Sequence, residues 1–102
     1  MKLDQNLRAK LLPDLPDWTF KDERGGLITR DFVFHDFAQA FAFMAQVALY
    51  AEKHNHHPEW FNVYNRVSVT LTTHDVEGLS IQDIQMAQQM DRIAQALQQQ
   101  TL

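Results

Sequence analysis

The segment that most constrains the fold is residues 36–53, where apolar side chains surround almost the whole circumference of a predicted helix. A helix of this kind is buried on more than one side. We expect one stripe to pack on a sheet, and its members follow helical spacing: Phe37, Ala40, Phe41, Met44, Val47, Ala48 and Ala51. The other side is not properly polar either, and we expect it to contact a second copy of the chain: Gln39, Phe43, Gln46 and Tyr50.

Capping and turn signals divide the rest of the chain into helices and hairpins. Residues 4–12 have helical spacing and stop at Pro13, and residues 18–34 form a hairpin around the DERGG turn at 22–26. Asp36 caps the central helix, with Gln39 as its capping-box partner. Residues 60–73 are rich in β-formers and too long for one strand, so we expect a break near Tyr64–Asn65. Ser80 and Asp83 form a capping box that opens the last helix, whose apolar stripe is Ile84, Ala87, Met90, Ala94 and Leu97.

This order, α-β-β-α-β-β-α, predicts the fold class. Two hairpins that are each followed by a helix favour an α+β two-layer sandwich, with a four-stranded antiparallel sheet and helices packed on one face. A chain of 102 residues has the length of one domain and not two, so we assign residues 1–102 to a single domain.

Composition excludes several classes of function. Nine Lys and Arg against 13 Asp and Glu give a formal net charge of −4, and the basic residues form no run, which disfavours direct nucleic-acid binding. Cysteine is absent, so disulfides, thiolate metal ligands and cysteine nucleophiles are excluded. No signal pattern and no apolar run long enough to span a membrane is present. We therefore expect a cytoplasmic protein with no membrane partner.

Four of the five histidines lie between residues 54 and 74. His54, His56 and His57 precede the second hairpin, and His74 follows it. If the two strands pair, both ends return to one edge of the sheet. Carboxylates flank the cluster at Glu52, Glu59 and Asp75. Because imidazole titrates near neutral pH, such a cluster can both donate and accept protons.

Three interpretations of this cluster remain open on spacing alone: solvated loop histidines, a metal site and an acid–base site. Against a metal site, Pro58 prevents His56 and His57 from lying on a helix. These two neighbours would also point to opposite sides of an extended segment, which hinders chelation of one ion by both.

Residues 34–80 carry a group of motifs in fixed register. They are Glu52-Lys53, His56-His57-Pro58-Glu59-Trp60, Asn62-Val63-Tyr64-Asn65, Thr73-His74-Asp75 and Gly78-Leu79. With these motifs the chain closely resembles the pterin-4a-carbinolamine dehydratase family, whose animal members are also known as the dimerisation cofactor of a hepatocyte nuclear factor. Weaker similarity extends over nearly the whole chain. The family's fold of two β-β-α units after a first helix agrees with the predicted order.

The resemblance implies dehydration of 4a-hydroxytetrahydrobiopterin to quinonoid dihydrobiopterin, which recycles the cofactor of aromatic amino-acid hydroxylases. It implies catalysis by His56, His57 and His74 without a metal or organic cofactor. The substrate-binding positions that it implies are Glu52, Asn55, His56, His57, Thr72, Thr73, His74 and Asp75. Asn55 stands where animal members often have Asp, and Asp75 where many have Glu. The partners expected are the pterin, a hydroxylase that supplies it, and further copies of the chain in a dimer or tetramer through helix 36–53.

Chemistry suggests a division of labour among the three imidazoles. His57, held extended by Pro58, is expected to hold the pterin and accept its proton. His56 and His74 are then expected to donate a proton to the leaving hydroxyl from different sides, one for each 4a epimer.

The alternative function is that of a dimerisation or coactivator protein that uses the central helix.

Overall fold

The computed structural model describes residues 1–100, so residues 101–102 of the predicted domain lie outside the described part. The element order agrees with the prediction. Its helices and strands are α1 (Gln5–Leu11), β1 (Thr19–Lys21), β2 (Leu27–Val33), α2 (Phe37–His54), β3 (Glu59–Val63), β4 (Arg66–Leu71) and α3 (Ile81–Gln98).

The four strands form one antiparallel sheet in the order β1-β2-β4-β3. Strand β4 therefore lies inside the sheet, and Ile28 of β2 faces Leu71 of β4 in register. The predicted break in residues 60–73 is confirmed, because β3 ends at Val63 and β4 begins at Arg66. Residues of β4 alternate between the two faces of the sheet, and the face that the helices bury carries Val67, Val69 and Leu71. The α+β class with helices on one face of the sheet is confirmed.

The hairpin turn between β1 and β2 lies against the loop that precedes α3. Gly25 has φ +82°, and a Cβ at this position would lie 1.8 Å from the carbonyl oxygen of Glu77. Only glycine allows this contact, because any side chain would collide with backbone. The contact brings residues 24–26 close to the end of β4 and to the site described below.

The buried face of α2 differs from the predicted one. Its buried residues are Ala40, Phe43, Val47 and Ala51. Phe43 is fully buried, and its ring lies 4.7 Å from that of Phe32 and 5.1 Å from that of Phe34, centroid to centroid. The prediction that Phe43 faces another subunit was wrong. Phe43 packs against Phe32 of β2 and against Phe34, which follows that strand. Because the helix is apolar all round, its sequence did not indicate which side would face the sheet.

Part of the stripe that was expected to face the sheet points outwards instead. Three members of that stripe are exposed: Phe37 (48%), Phe41 (58%) and Ala48. Leu49, which is 75% exposed, and Ala45 were not part of the stripe and are exposed as well. Exposed apolar side chains therefore run along the side of α2 that is turned away from the core. Among residues 1–100 there is no helix long and apolar enough to cross a membrane.

The helix caps agree with the sequence signals in all but one detail. Asp36 accepts a hydrogen bond from the Gln39 N–H, as predicted. The Gln39 side chain does not complete a capping box, because its oxygen accepts from the N–H of His35 and its amide donates to the carbonyl of Leu97 on α3. Gln39 is thus engaged inside the chain and is not available to bond across an interface. The predicted capping box of Ser80 and Asp83 is present.

Candidate active site

The end of α2 directs His56 towards the interior. Asn55 adopts a left-handed conformation with φ +49°, which asparagine tolerates better than most residues. The N–H of His56 then donates to the carbonyl of Ala51, five residues earlier, at 3.1 Å. This turn ends the helix and leaves the His56 side chain buried, with 9% exposure.

A buried carboxylate fixes the His56 ring. Oδ1 of Asp83 lies 2.7 Å from Nε2 of His56. The other carboxylate oxygen accepts hydrogen bonds from the Thr73 hydroxyl at 2.7 Å and from the Ser80 N–H at 2.9 Å. Asp83 is fully buried, and Ser80 also lies within hydrogen-bond distance of the Thr73 hydroxyl. The sequence identified Asp83 only as a helix cap, since nothing local indicates its contact with His56.

His57 takes a different position, on the surface beside α2. Its Nε2 lies 2.8 Å from Oε1 of Glu52, and both side chains are largely exposed. Glu52 belongs to the last turn of α2, while His57 begins the extended segment that Pro58 continues into β3. The adjacent histidines therefore diverge, as expected of an extended segment, with His56 inside and His57 in solvent.

His74 comes to the same edge from the end of β4. It begins a short 3-10 turn, His74–Val76, and its Nε2 lies 3.6 Å from Oε2 of Glu59. Glu59 also accepts two hydrogen bonds from the guanidinium of Arg24, at 3.1 and 2.7 Å. These bonds lower the pKa of Glu59 below its usual value, against a smaller opposing effect of desolvation, and they raise the pKa of Arg24.

The three histidines line one cleft of about 350 Å³. The predicted convergence of residues 54–57 and 72–75 at one edge of the sheet is thus seen, except that His54 stacks on Tyr50 with ring centroids 4.0 Å apart and stays outside. Glu52 does not line the cleft itself, but it contacts His57, which does. Sequence reasoning missed Gln82, which lies beside Asp83 at the start of α3. The cleft is lined by Asn55, His56, His57, Pro58, Glu59, Thr72, Thr73, His74, Asp75 and Gln82.

Each imidazole of this cleft has its own carboxylate neighbour: Asp83 for His56, Glu52 for His57 and Glu59 for His74. A carboxylate beside an imidazole orients the ring and stabilises the imidazolium that forms when the ring takes up a proton. Within residues 1–100, no group of three His, Asp or Glu side chains has the arrangement of a metal site. The geometry suits proton transfer on both sides of a bound molecule.

Comparison with known proteins points to one family. The family model described as Pterin 4 alpha carbinolamine dehydratase matches residues 1–93. A relative from Rhizorhabdus wittichii that bears the family's name is 57% identical over 88 residues, which are 86% of this chain and 90% of that protein. The pterin-4-alpha-carbinolamine dehydratase of Drosophila melanogaster is 52% identical over 99 residues, which are 95% of this chain and 51% of the fly protein.

Solved structures show the same fold. The crystal structure of a transcriptional coactivator/pterin dehydratase from Brucella melitensis superposes with a TM-score of 0.87 at 52% identity, covering 92% of this chain and 99% of that one. A pterin dehydratase-like RuBisCO assembly factor of the alpha-carboxysome superposes with a TM-score of 0.66 at 22% identity, covering 76% of this chain and 89% of that one. At that identity the second likeness concerns the fold alone.

Proposed function

Since this chain belongs to the pterin 4 alpha carbinolamine dehydratase family, we propose that it removes water from 4a-hydroxytetrahydropterins, with 4a-hydroxytetrahydrobiopterin as substrate and quinonoid dihydrobiopterin as product. The observation that carries the proposal is the cleft in which three imidazoles meet, each beside a separate carboxylate. The substrate is formed when an aromatic amino-acid hydroxylase oxidises its tetrahydropterin. The enzyme therefore acts directly after such a hydroxylase.

The reaction needs two proton transfers and no change of oxidation state. The C4a–O bond breaks as the hydroxyl takes up a proton and leaves as water. The N5–H bond breaks as a base takes its proton, and the electron pair forms the C4a=N5 double bond. One proton is delivered and one is removed, so the balance is closed without a metal or an organic cofactor. Each positioned proton transfer contributes about 10²–10⁴-fold to the rate.

His57 is the residue that we assign to N5. Its imidazole is open to solvent and has the Glu52 carboxylate at 2.8 Å on its Nε2 side. That carboxylate stabilises the imidazolium formed when His57 accepts the N5 proton. Pro58 restricts the backbone of His57 to extended conformations, so the ring is presented to the cleft from a stiff segment.

His56 and His74 are the residues that we assign to the leaving hydroxyl. They belong to separate parts of the chain, one at the end of α2 and one after β4, and both line the cleft. His56 is buried and held by Asp83, whereas His74 is 80% exposed beside Glu59. Two proton donors in such different settings suit a substrate whose hydroxyl projects from either face of the ring. Asn55, Thr72, Thr73 and Asp75 are the remaining groups of this cleft that we assign to binding the pterin.

A coupled assay tests this function. An aromatic amino-acid hydroxylase generates the 4a-carbinolamine in place, and formation of the quinonoid product is followed with and without the chain. We expect the chain to accelerate product formation in proportion to its concentration. Product formation at the uncatalysed rate, with folded protein present, would contradict the proposal.

A second candidate function is that of a binding protein, and the apolar outer side of α2 favours it. Phe37, Phe41 and Leu49 are exposed there, and the Brucella neighbour is described as a coactivator as well as a dehydratase. A partner that docks on α2 would not need the histidine cleft. Binding that survives replacement of the three histidines would assign this role to α2 separately from catalysis.

A further inference from the structure

A second cleft of about 520 Å³ adjoins the histidine cleft. Thr72, Thr73 and His74 line both clefts and form their common wall. The other residues of the second cleft come from the N-terminal segment, the β1–β2 turn and the loop before α3, and they are Lys2, Arg24, Gly25, Glu77 and Gly78. We call this the Lys2–Arg24 cleft.

The position of Lys2 is set by its neighbour Leu3, which is tied to the loop before α3. The N–H of Leu3 donates to the carbonyl of Leu79 at 2.8 Å, and the Leu3 side chain is buried. The Lys2 stem then crosses two glycines. A Cβ on Gly78 would lie 2.6 Å from Cε of Lys2, and a Cβ on Gly25 would lie 3.3 Å from its Nζ. The absence of side chains at these two positions leaves the space that the lysine occupies.

Of the two cations in the Lys2–Arg24 cleft, Arg24 has a carboxylate partner and Lys2 has none within 4.0 Å among the described residues. The Arg24 guanidinium is already paired with Glu59, in the wall of the histidine cleft. Glu77 is the one acidic residue among those that line the Lys2–Arg24 cleft, and Lys2 and Arg24 are its two basic residues. An anionic group placed there would find a cation that has no ion-pair partner of its own.

The chemistry of the pterin ring connects this cleft to the reaction. Atoms C4a, N5 and C6 are consecutive in the ring, so a substituent on C6 leaves it next to the nitrogen that loses its proton. Because C6 is only two bonds from C4a, the substituent also emerges close to the group that acts on the C4a hydroxyl. His74, which we assign to that hydroxyl, lies in the wall shared by the two clefts.

We propose that the Lys2–Arg24 cleft receives the C6 substituent of the pterin and favours one that ends in an anionic group such as a phosphate monoester. This inference rests on the proposed function and adds a substrate class to it. Lys2 is its specificity-determining residue, because its charge is unpaired and its stem runs past Gly78 and Gly25 into this cleft. Arg24 is second, because binding the anion must compete with Glu59.

Binding of two stable dihydropterins tests the inference. One carries a trihydroxypropyl chain on C6, and the other carries the same chain with a terminal phosphate. By titration at low ionic strength, we expect the phosphorylated compound to bind more tightly. Replacing Lys2 by the uncharged Met (Lys2→Met) should weaken its binding about twofold to fivefold, the range of an exposed ion pair, and leave the neutral compound unaffected. Lys10→Met, on the exposed side of α1 away from both clefts, should change neither.

Equal affinity of the wild type for both compounds would overturn the inference. So would a Lys2→Met variant that weakens both compounds equally, since Lys2 would then support the structure and not read the charge. In either case, turnover of the dihydroxypropyl substrate would show that the proposed function stands and only the inference fails. If that substrate is not turned over and neither compound binds, the proposed function fails together with the inference.

Discussion

Oδ1 of Asp83 lies 2.7 Å from Nε2 of His56, although the two residues are 27 positions apart. The same carboxylate caps the start of α3 and accepts from the Thr73 hydroxyl. The buried Asp83 side chain thus connects the start of α3 to His56 in the cleft. Asp83 is a positioning residue in our account, because it acts on the substrate only through His56.

Replacing Asp83 by Asn keeps the size of the side chain and removes its charge. We expect kcat to fall about tenfold to hundredfold, within the contribution of a positioned proton transfer, while KM changes little. The ¹⁵N shifts of the His56 ring should change with the tautomer. Asp36→Ala is the matched control: it removes the cap at the start of α2, costs about 1 kcal/mol of stability, and should leave kcat and these shifts unchanged. An Asp83→Asn variant that loses stability but keeps full kcat would refute the positioning role.

The assignment of donors predicts opposite epimer preferences. His56→Ala and His74→Ala should each lose most of the turnover of one 4a epimer and retain much of the other. His57→Ala should slow both, because N5 is common to the two epimers. Single-turnover kinetics on the separated epimers measures this. Equal losses on both epimers in the His56 and His74 variants would show that the division of labour is wrong.

Self-association through α2 stays a prediction, now placed on the opposite side of the helix from that expected. Phe41→Glu should shift the protein towards monomer in sedimentation and leave the fold intact, because Phe41 is 58% exposed. Phe43→Glu is the contrasting variant. It places a charge in the aromatic core, where even truncation of a Phe costs about 3–5 kcal/mol, and should unfold the chain. A wild type that is monomeric at micromolar concentration would contradict the prediction.

The Arg24–Glu59 pair predicts a pH-dependent contribution to stability. Because the hydrogen bonds from Arg24 lower the folded-state pKa of Glu59, its ionised form stabilises the fold. This contribution is present above the unfolded pKa of about 4.3 and is lost as the pH falls through the lower folded value. Urea denaturation should therefore show Glu59→Gln less stable than wild type at pH 6, by a small margin since both side chains are half exposed, and equal to it near pH 3. A difference that persists undiminished at pH 3 would argue against this pairing.

Local signals predicted most of the fold. Caps, turns and alternation gave the order of elements, the hairpins and the convergence of His56, His57 and His74, because each depends on neighbours in the chain. The orientation of α2 could not be predicted, since a helix that is apolar all round fits a sheet on several sides. Phe43 faces the core because its ring packs against Phe32 of β2 and against Phe34, just after that strand.

Contacts between distant residues account for what the sequence missed in the site. The capping box already explains an aspartate at position 83, so the sequence near Asp83 gives no sign that it also contacts His56. Lys2 is an ordinary terminal lysine until Leu3 binds Leu79 and the two glycines pack against it. Residues of this kind can be assigned to a site only from the folded structure.

We propose that the three histidines of the cleft catalyse dehydration without a metal. Stopped-flow decay of the 4a-hydroxypterin absorbance tests it most directly, using protein dialysed against a strong chelator. We expect the dialysed wild type to accelerate the decay. The variant with His56, His57 and His74 all replaced by Ala should leave the decay at its rate in buffer. A triple variant as active as the wild type, or activity that is lost on dialysis and restored by zinc, would contradict it.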